Sequence, residues 1–401
     1  MPSTMTPVAI TAYTATSAMG RGLAAHLASM RSERTALRPN DFTRTPLACW
    51  IGRVDALEQS ALPPVLDEWA CRNNRLAWLG LNQDGFHARV QTARERYGAD
   101  RVALLLGTST ASIGATEDAY TRLDADGGFA DDMLRPAIHA PHSLAAFAAV
   151  ALGLRGPCLT ISTACSSSAK VFASAERMLR LGLVDAAVVG GADTLCGSVL
   201  FGFNALQLVS AEPCRPFDAA RDGISIGEAA GFALLERAAT APTAPQLVGY
   251  GEASDAHHMS SPHPDGLGAE LALRDALARA GLRSDQVDYI NLHGTASLKN
   301  DEVEAALISR TFEAHTRASS TKGWTGHTLG AAGIVEAVLT LLAISHGLVP
   351  GNIGGATPDP MCGPQFAWRN EQQAVGVALS NSFGFGGNNA CLAFARAGAC
   401  A

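Results

Sequence analysis

The stretch "TISTACSSSAKVFASAERMLRLGLVDAAVVGGAD" occupies residues 160–193. An apolar run leads into Cys165 and three serines. A helical pattern follows over 166–182, then a second apolar run ends at Gly190-Gly191. Strand, turn, helix and strand in that order predict an α/β fold. Cys165 falls at or just before the first helical turn. The N–H groups there lack intrahelical partners, and the helix dipole favours negative charge. Such a position lowers a thiol pKa from its usual value of about 8.5 and raises the thiolate fraction. A sharp turn would also lift the sulfur clear of the sheet, as in a nucleophile elbow. The competing reading is a buried cysteine that packs as a small hydrophobe. Ser166, Ser167 and Ser168 read as first-turn helix residues.

The same alternation extends both ways. Residues 7–13, 101–107, 157–163 and 184–191 read as strands, and 142–154 as a helix. The strand runs are apolar without clean alternation, which suits strands covered on both faces. "ATAPTAPQ", near residue 240, breaks the pattern. Beyond it, "QLVGYGEA", 287–294, 374–380 and 390–396 read as strands. Residues 268–282 (closed by Gly281), 298–312 and 326–347 read as helices. The chain therefore divides into two α/β halves, 1–245 and 246–401, whose covered sheets pack into one core. Residues 31–70 and 121–141 are excursions from the first half.

Composition narrows the function. The 401 residues carry a net charge of −7, which argues against a nucleic-acid binder. The N-terminus lacks the basic start and long apolar stretch of a signal peptide. The longest apolar segments, "AAFAAVALGL" and "IVEAVLTLLAI", read as too short to span a bilayer. Nine cysteines with no C-x-x-C pair fit a reducing cytoplasm better than a disulfide frame or a zinc site.

Two histidines lie in glycine-rich turns. "NLHGT" places His293 after a strand, followed by Gly294 and Thr295. "TKGWTGHTLG" places His327 near the start of a long helix, five residues after Lys322. In open α/β sheets ligands gather at that edge. A cysteine nucleophile can accept an acyl group from a thioester. Two imidazoles can donate hydrogen bonds to a carbonyl oxygen that becomes an enolate. "NSFGFGGNNACLAF", 381–394, is a third glycine-rich turn. It reads either as an oxyanion donor or as a tight hairpin that buries Phe383 and Phe385.

Four motifs carry a resemblance: "TACSSSA", "NLHGTASLKND", "SSTKGWTGHTLGAAG" and "NSFGFGGNNA". "RPFDAARDGISIGEAAGFALLE" and "SDAHHMSSPHPDG" support it. The chain resembles the elongating, decarboxylating β-ketoacyl-acyl-carrier-protein synthases of the thiolase fold, over most of 155–396. That resemblance implies a layered α-β-α-β-α core. It implies that Cys165 is the acylated nucleophile, with His293 and His327 serving decarboxylation and condensation. It places Lys322 as a supporting lysine near His327, and Glu336 as a structural or electrostatic glutamate. Phe385 becomes the gating phenylalanine, whose N–H forms an oxyanion hole with that of Cys165. Phe383, Thr295 and Glu336 are grouped with Phe385 as substrate-binding residues, and "GTSTASIG" (107–114) is expected to line the acyl tunnel.

The Cys-His-His set differs from initiating enzymes, which carry Asn where His327 stands, and from chain-length-factor partners, which lack the cysteine. The serine run is more like polyketide synthases, Ala229 replaces a usual Gly, and 31–100 match weakly. The resemblance further implies acyl carrier protein as partner, a homodimer or heterodimer, and no metal or organic cofactor. The phosphopantetheine arm belongs to the carrier. The chain's end after its last strand suggests a discrete enzyme. A thiolase is the alternative enzyme, but it needs a second acid–base cysteine, and Cys391 reads as core. A catalytic subunit that requires a related partner stays open, as does a non-catalytic subunit, against which the complete triad speaks.

Overall fold

The structure, a computed structural model, describes residues 4–399, so Cys400 lies outside the described residues. Its main sheet has eleven strands, ten on one path and the two-residue Gly20–Arg21, which pairs only with the first of them. The first half supplies β1 (Val8–Ser17), β2 (Val102–Gly107), β3 (Cys158–Ile161), β4 (Ala186–Asp193) and β5 (Ala229–Arg237). The second supplies β6 (Gln246–Ser254), β7 (Tyr289–Asn291), β8 (Arg317–Ser319), β9 (Val377–Gly384) and β10 (Asn388–Ala395).

From the edge inward, the first half runs β3-β2-β4-β5-β1 and the second β8-β7-β9-β10-β6. Numbered within each half, both orders are 3-2-4-5-1. The outer three strands of each half pair parallel, and the remaining pairs are antiparallel. The halves thus repeat one topology without repeating one sequence. Two separate sheets were expected. In the structure, β1 and β6 pair at Val8–Leu247 and Ala9–Gln246, so a two-residue seam joins the halves into one sheet.

Helices α1 (Arg72–Leu81), α2 (Phe86–Tyr97) and α3 (Ser143–Leu152) cover the outer face of the first half. Helices α5 (Leu267–Ala280) and α6 (Leu298–Thr311) cover that of the second. Between the halves lie α4 (Ser167–Arg180) and α7 (Ala332–His346), which contact each other and strands of both. The result is the α-β-α-β-α layering. Gly281 ends α5 in the left-handed conformation, as its position suggested.

The apolar segment Leu329–His346 needs a correction. Its 18 residues with mean hydropathy 1.7 meet the length and composition of a membrane span, yet 89% of the segment is buried inside the protein. It is apolar all round because sheet and helix surround it. The excursions 31–70 and 121–141 contain only short elements, among them Trp50–Gly52 and the 3₁₀ turn Pro64–Trp69.

Close packing sets the geometry at the start of α4. A Cβ on Gly107 of β2 would lie 2.4 Å from the Ser168 nitrogen, and one on Gly333 would lie 2.5 Å from that of Ala169. Only glycine permits these approaches. Small side chains at 166–168 serve the same fit. Ser166 Oγ donates to Thr163 O, Ser167 Oγ accepts the Thr163 N–H, and Ser168 Oγ accepts the Ile334 N–H from α7.

Candidate active site

Cys165 sits between β3 and α4, just before the helix begins at Ser167. Ala164 precedes it with φ of +53°. A non-glycine residue held there costs about 1–3 kcal/mol. This is the sharp turn that the strand–helix junction called for.

His293 follows β7. Its N–H and that of Gly294 donate to the carboxylate of Glu304, at 2.9 and 2.7 Å, and Asn381 Nδ2 donates to the same group at 3.1 Å. Glu304 was not foreseen. The signal was available: Asp301 and Glu304 share a helix face with Ala305 and Ile308, so two acids lie on the buried side of α6. Buried carboxylates need donors. Asp301 finds the N–H groups of Phe217 and Ala296.

His327 does not begin the long helix. A short helix, Lys322–Thr325, and a 3₁₀ turn, Leu329–Ala331, flank it, and α7 starts at Ala332. Its backbone is pinned instead by the 215–236 motif: His327 N donates to Ser225 O, and Gly227 N donates to His327 O.

The fold brings Cys165 Sγ and one nitrogen of each histidine within 4.8 Å of one another. His327 Nε2 lies 2.9 Å from Cys165 Sγ, and the two imidazole rings stand edge to face, 5.4 Å apart. Lys322 lies against His293, and its charge also acts on the neighbouring His327 ring. Its ammonium contacts the His293 carbonyl oxygen, stands 3.4 Å from His293 Nδ1 and pairs with Glu336. Glu336 pairs with Lys322 and is not among the residues that line the cavity described below.

A cavity of about 350 Å³ opens at the cysteine. Cys165, His293, His327, Thr295, Phe383 and Phe385 all face it. Phe385 stacks on Phe203, with ring centres 5.6 Å apart, and Phe383 lies 5.7 Å from the His293 ring. The Phe385 N–H is directed at the Cys165 sulfur. A side chain at Gly384 would come within 3.3 Å of the Cys165 nitrogen, so glycine keeps the space before that N–H open. Residues 107–114 do not line this cavity. Their turn is gathered by Asp193 at the end of β4, which accepts from Thr108 Oγ1 at 2.6 Å, Ser109 N at 3.0 Å and Thr110 N at 2.9 Å.

Electrostatics correct one expectation. The helix start was to lower the thiol pKa. Burial instead pushes it up to about 11, against the opposing pull of the Lys322 charge. Desolvation of a thiolate outweighs a dipole effect of about 1 kcal/mol. Burial, with the Lys322 charge, holds both imidazoles well below their usual range. The resting triad is a neutral thiol beside two neutral imidazoles. Cys391 is core in β10, as expected.

Residues 66–241 match the family Beta-ketoacyl synthase, N-terminal domain, and 245–355 match Beta-ketoacyl synthase, C-terminal domain. The chain belongs to the β-ketoacyl synthase family. It is a condensing enzyme, an acyltransferase.

It is 36% identical to Nodulation protein E of Rhizobium meliloti (strain 1021) over 73% of this chain and 75% of that protein. It is 36% identical to 3-oxoacyl-[acyl-carrier-protein] synthase 2 of Synechocystis over 74% and 76%. A mitochondrial 3-oxoacyl-[acyl-carrier-protein] synthase of Arabidopsis thaliana is 40% identical over 61% of this chain and 57% of that protein. Among solved structures, a chain in the complex of the ketosynthase ApeO with its chain length factor ApeC from Xenorhabdus doucetiae is 36% identical with a TM-score of 0.89, covering 98% of both chains.

Proposed function

We propose that this β-ketoacyl synthase joins an acyl group held on Cys165 to malonyl carrier protein by decarboxylative Claisen condensation, in fatty-acid or polyketide chain elongation. The observation that carries the reading is the convergence of Cys165, His293 and His327 on one cavity, with the Cys165–His327 contact at 2.9 Å.

The first half-reaction is transthioesterification. The Cys165 sulfur attacks the acyl thioester as His327 Nε2 takes the thiol proton, which passes to the departing carrier thiolate. Malonyl carrier protein then enters. The Lys322 ammonium faces His293 Nδ1, which leaves Nε2–H of His293 to donate to the malonyl thioester carbonyl beside His327. The bond to the carboxylate breaks, carbon dioxide leaves, and the electron pair resides on the enolate that the imidazoles stabilise. The enolate carbon attacks the acyl-Cys165 carbonyl. The N–H groups of Cys165 and Phe385 hold the tetrahedral oxyanion until Cys165 departs as thiolate and takes a proton.

Acyl carrier protein is the partner in this reading and brings the phosphopantetheine arm, so the chain's own residues need no organic cofactor or metal for any step. The exposed edge of β3 suits a dimer, with a second copy or a related subunit. The complex of ApeO with its chain length factor supports the heterodimer. The eight described cysteines are unpaired, which fits a cytoplasmic site. We place the division between the halves at residue 245.

The test is mass spectrometry of the protein incubated with a panel of acyl carrier proteins, followed by malonyl carrier protein. An acyl adduct on Cys165 and a product longer by two carbons support the reading. Self-acylation at another cysteine, or condensation of two acetyl thioesters without loss of carbon dioxide, overturns it.

A further inference from the structure

We propose that Cys165, His293 and His327 also form an inhibitory site for a zinc ion, which competes with acylation. The inference rests on reading these three residues as the reacting set.

The three donors form a soft, nitrogen-rich set of one sulfur and two imidazoles, the kind that selects zinc among abundant divalent ions. All three atoms lie within 4.8 Å of one another. Zinc holds sulfur at about 2.3 Å and imidazole nitrogen at about 2.0 Å, so tetrahedral donors stand about 3.3–3.6 Å apart. The Cys165–His327 distance of 2.9 Å must open slightly, and the longest separation must close by roughly 1 Å, within the reach of side-chain rotation. The cavity that all three residues line supplies the open fourth position and the entry path. Both imidazoles rest uncharged, and His327 Nε2 turns its lone pair toward the thiol.

Charge balance decides whether a dication can sit beside a buried lysine. Before binding, the thiol and imidazoles are neutral, and the Lys322 ammonium is paired with Glu336. Binding removes the thiol proton. It also requires Nε2 of His293 to lose its proton. That proton shifts to Nδ1 of the same ring, while the Lys322 ammonium keeps its contacts with the His293 carbonyl oxygen and Glu336. A water in the open fourth position is bound as hydroxide, so two protons leave, and the thiolate and hydroxide offset the two charges of zinc. The pocket carries no net charge before or after, which avoids the penalty for burying an unpaired ion. Binding tightens with pH because ligand protons are released.

The probe is Co²⁺, then Zn²⁺, added to the full chain without substrate above pH 7. The expected result is a near-ultraviolet thiolate-to-cobalt band with the visible bands of tetrahedral cobalt, lost in Cys165→Ser and unchanged in His257→Gln. His257 is an exposed imidazole 5.1 Å from His263 and is the control for a surface site. Zn²⁺ should block alkylation of Cys165 reversibly by chelator, and its affinity should rise about a hundredfold per pH unit for a two-proton release. Absence of the thiolate band, its survival in Cys165→Ser or its loss in His257→Gln overturns the proposal. A thiolate band in a chain that neither self-acylates nor condenses would leave the metal site standing and refute the proposed function instead.

Discussion

His327 Nε2 lies 2.9 Å from Cys165 Sγ although 162 residues separate them in sequence. The contact couples the two halves of the fold at one proton. With the thiol pushed up to about 11 and the imidazole held low, that proton rests on sulfur. Attack by Cys165 therefore depends on His327 receiving it during the step.

Alkylation of Cys165 in the substrate-free protein should be slow at neutral pH. The thiolate fraction should grow as pH rises toward about 11, well above the region of a free thiol. Peptide mapping after iodoacetamide treatment across a pH series checks this. Half-maximal reactivity near pH 7 would mean the helix start outweighs burial.

The half-reactions should separate by mutation. Cys165→Ala should abolish self-acylation and condensation and retain some malonyl decarboxylation. His293→Ala or His327→Ala should lower decarboxylation by about a hundredfold to a thousandfold, the usual loss for one oxyanion donor. His293→Ala should still acylate at Cys165. Carbon dioxide release and acyl-enzyme formation measured in parallel decide it.

Lys322→Met should destabilise the protein by about 3–5 kcal/mol by leaving Glu336 unpaired in the core. Adding Glu336→Leu should restore most of the lost Tm. Decarboxylation should not return, because His293 Nδ1 still lacks its ammonium neighbour. Thermal melts and activity on the single and double variants separate the two roles.

Glu304 has a pH signature. Burial raises its carboxyl to about 7. The folded state then holds a proton that the unfolded chain has released, so this contribution to stability is full below about pH 4.5 and is lost as pH rises through about 7. Glu304→Gln should flatten that slope in denaturant titrations across the window. Glu304→Ala should cost about 1–3 kcal/mol for each N–H left unsatisfied at His293 and Gly294.

The edge strand β3 exposes Leu159 at 42% and pairs on one side only. An open edge of this kind needs a cover. Leu159→Lys should weaken self-association or pairing with a related subunit. Sedimentation of a stable, active wild-type monomer would refute the dimer.

The sequence by itself determined the α/β class, most element positions, the strand–helix junction at Cys165 and the identities of His293 and His327. Local pattern carries these, because apolar periodicity, glycine turns and helix starts are short-range features. Only the tertiary structure decided what those groups face. It put Lys322 beside His293, turned Glu336 into its ion partner and bound the 107–114 turn to Asp193. It also supplied Glu304 beneath the His293 turn and seated Leu329–His346 between both halves of the sheet. The protonation state of Cys165 belongs to this second group. A helix start is visible in sequence, but the desolvation that overrides it comes from residues far along the chain closing over the sulfur.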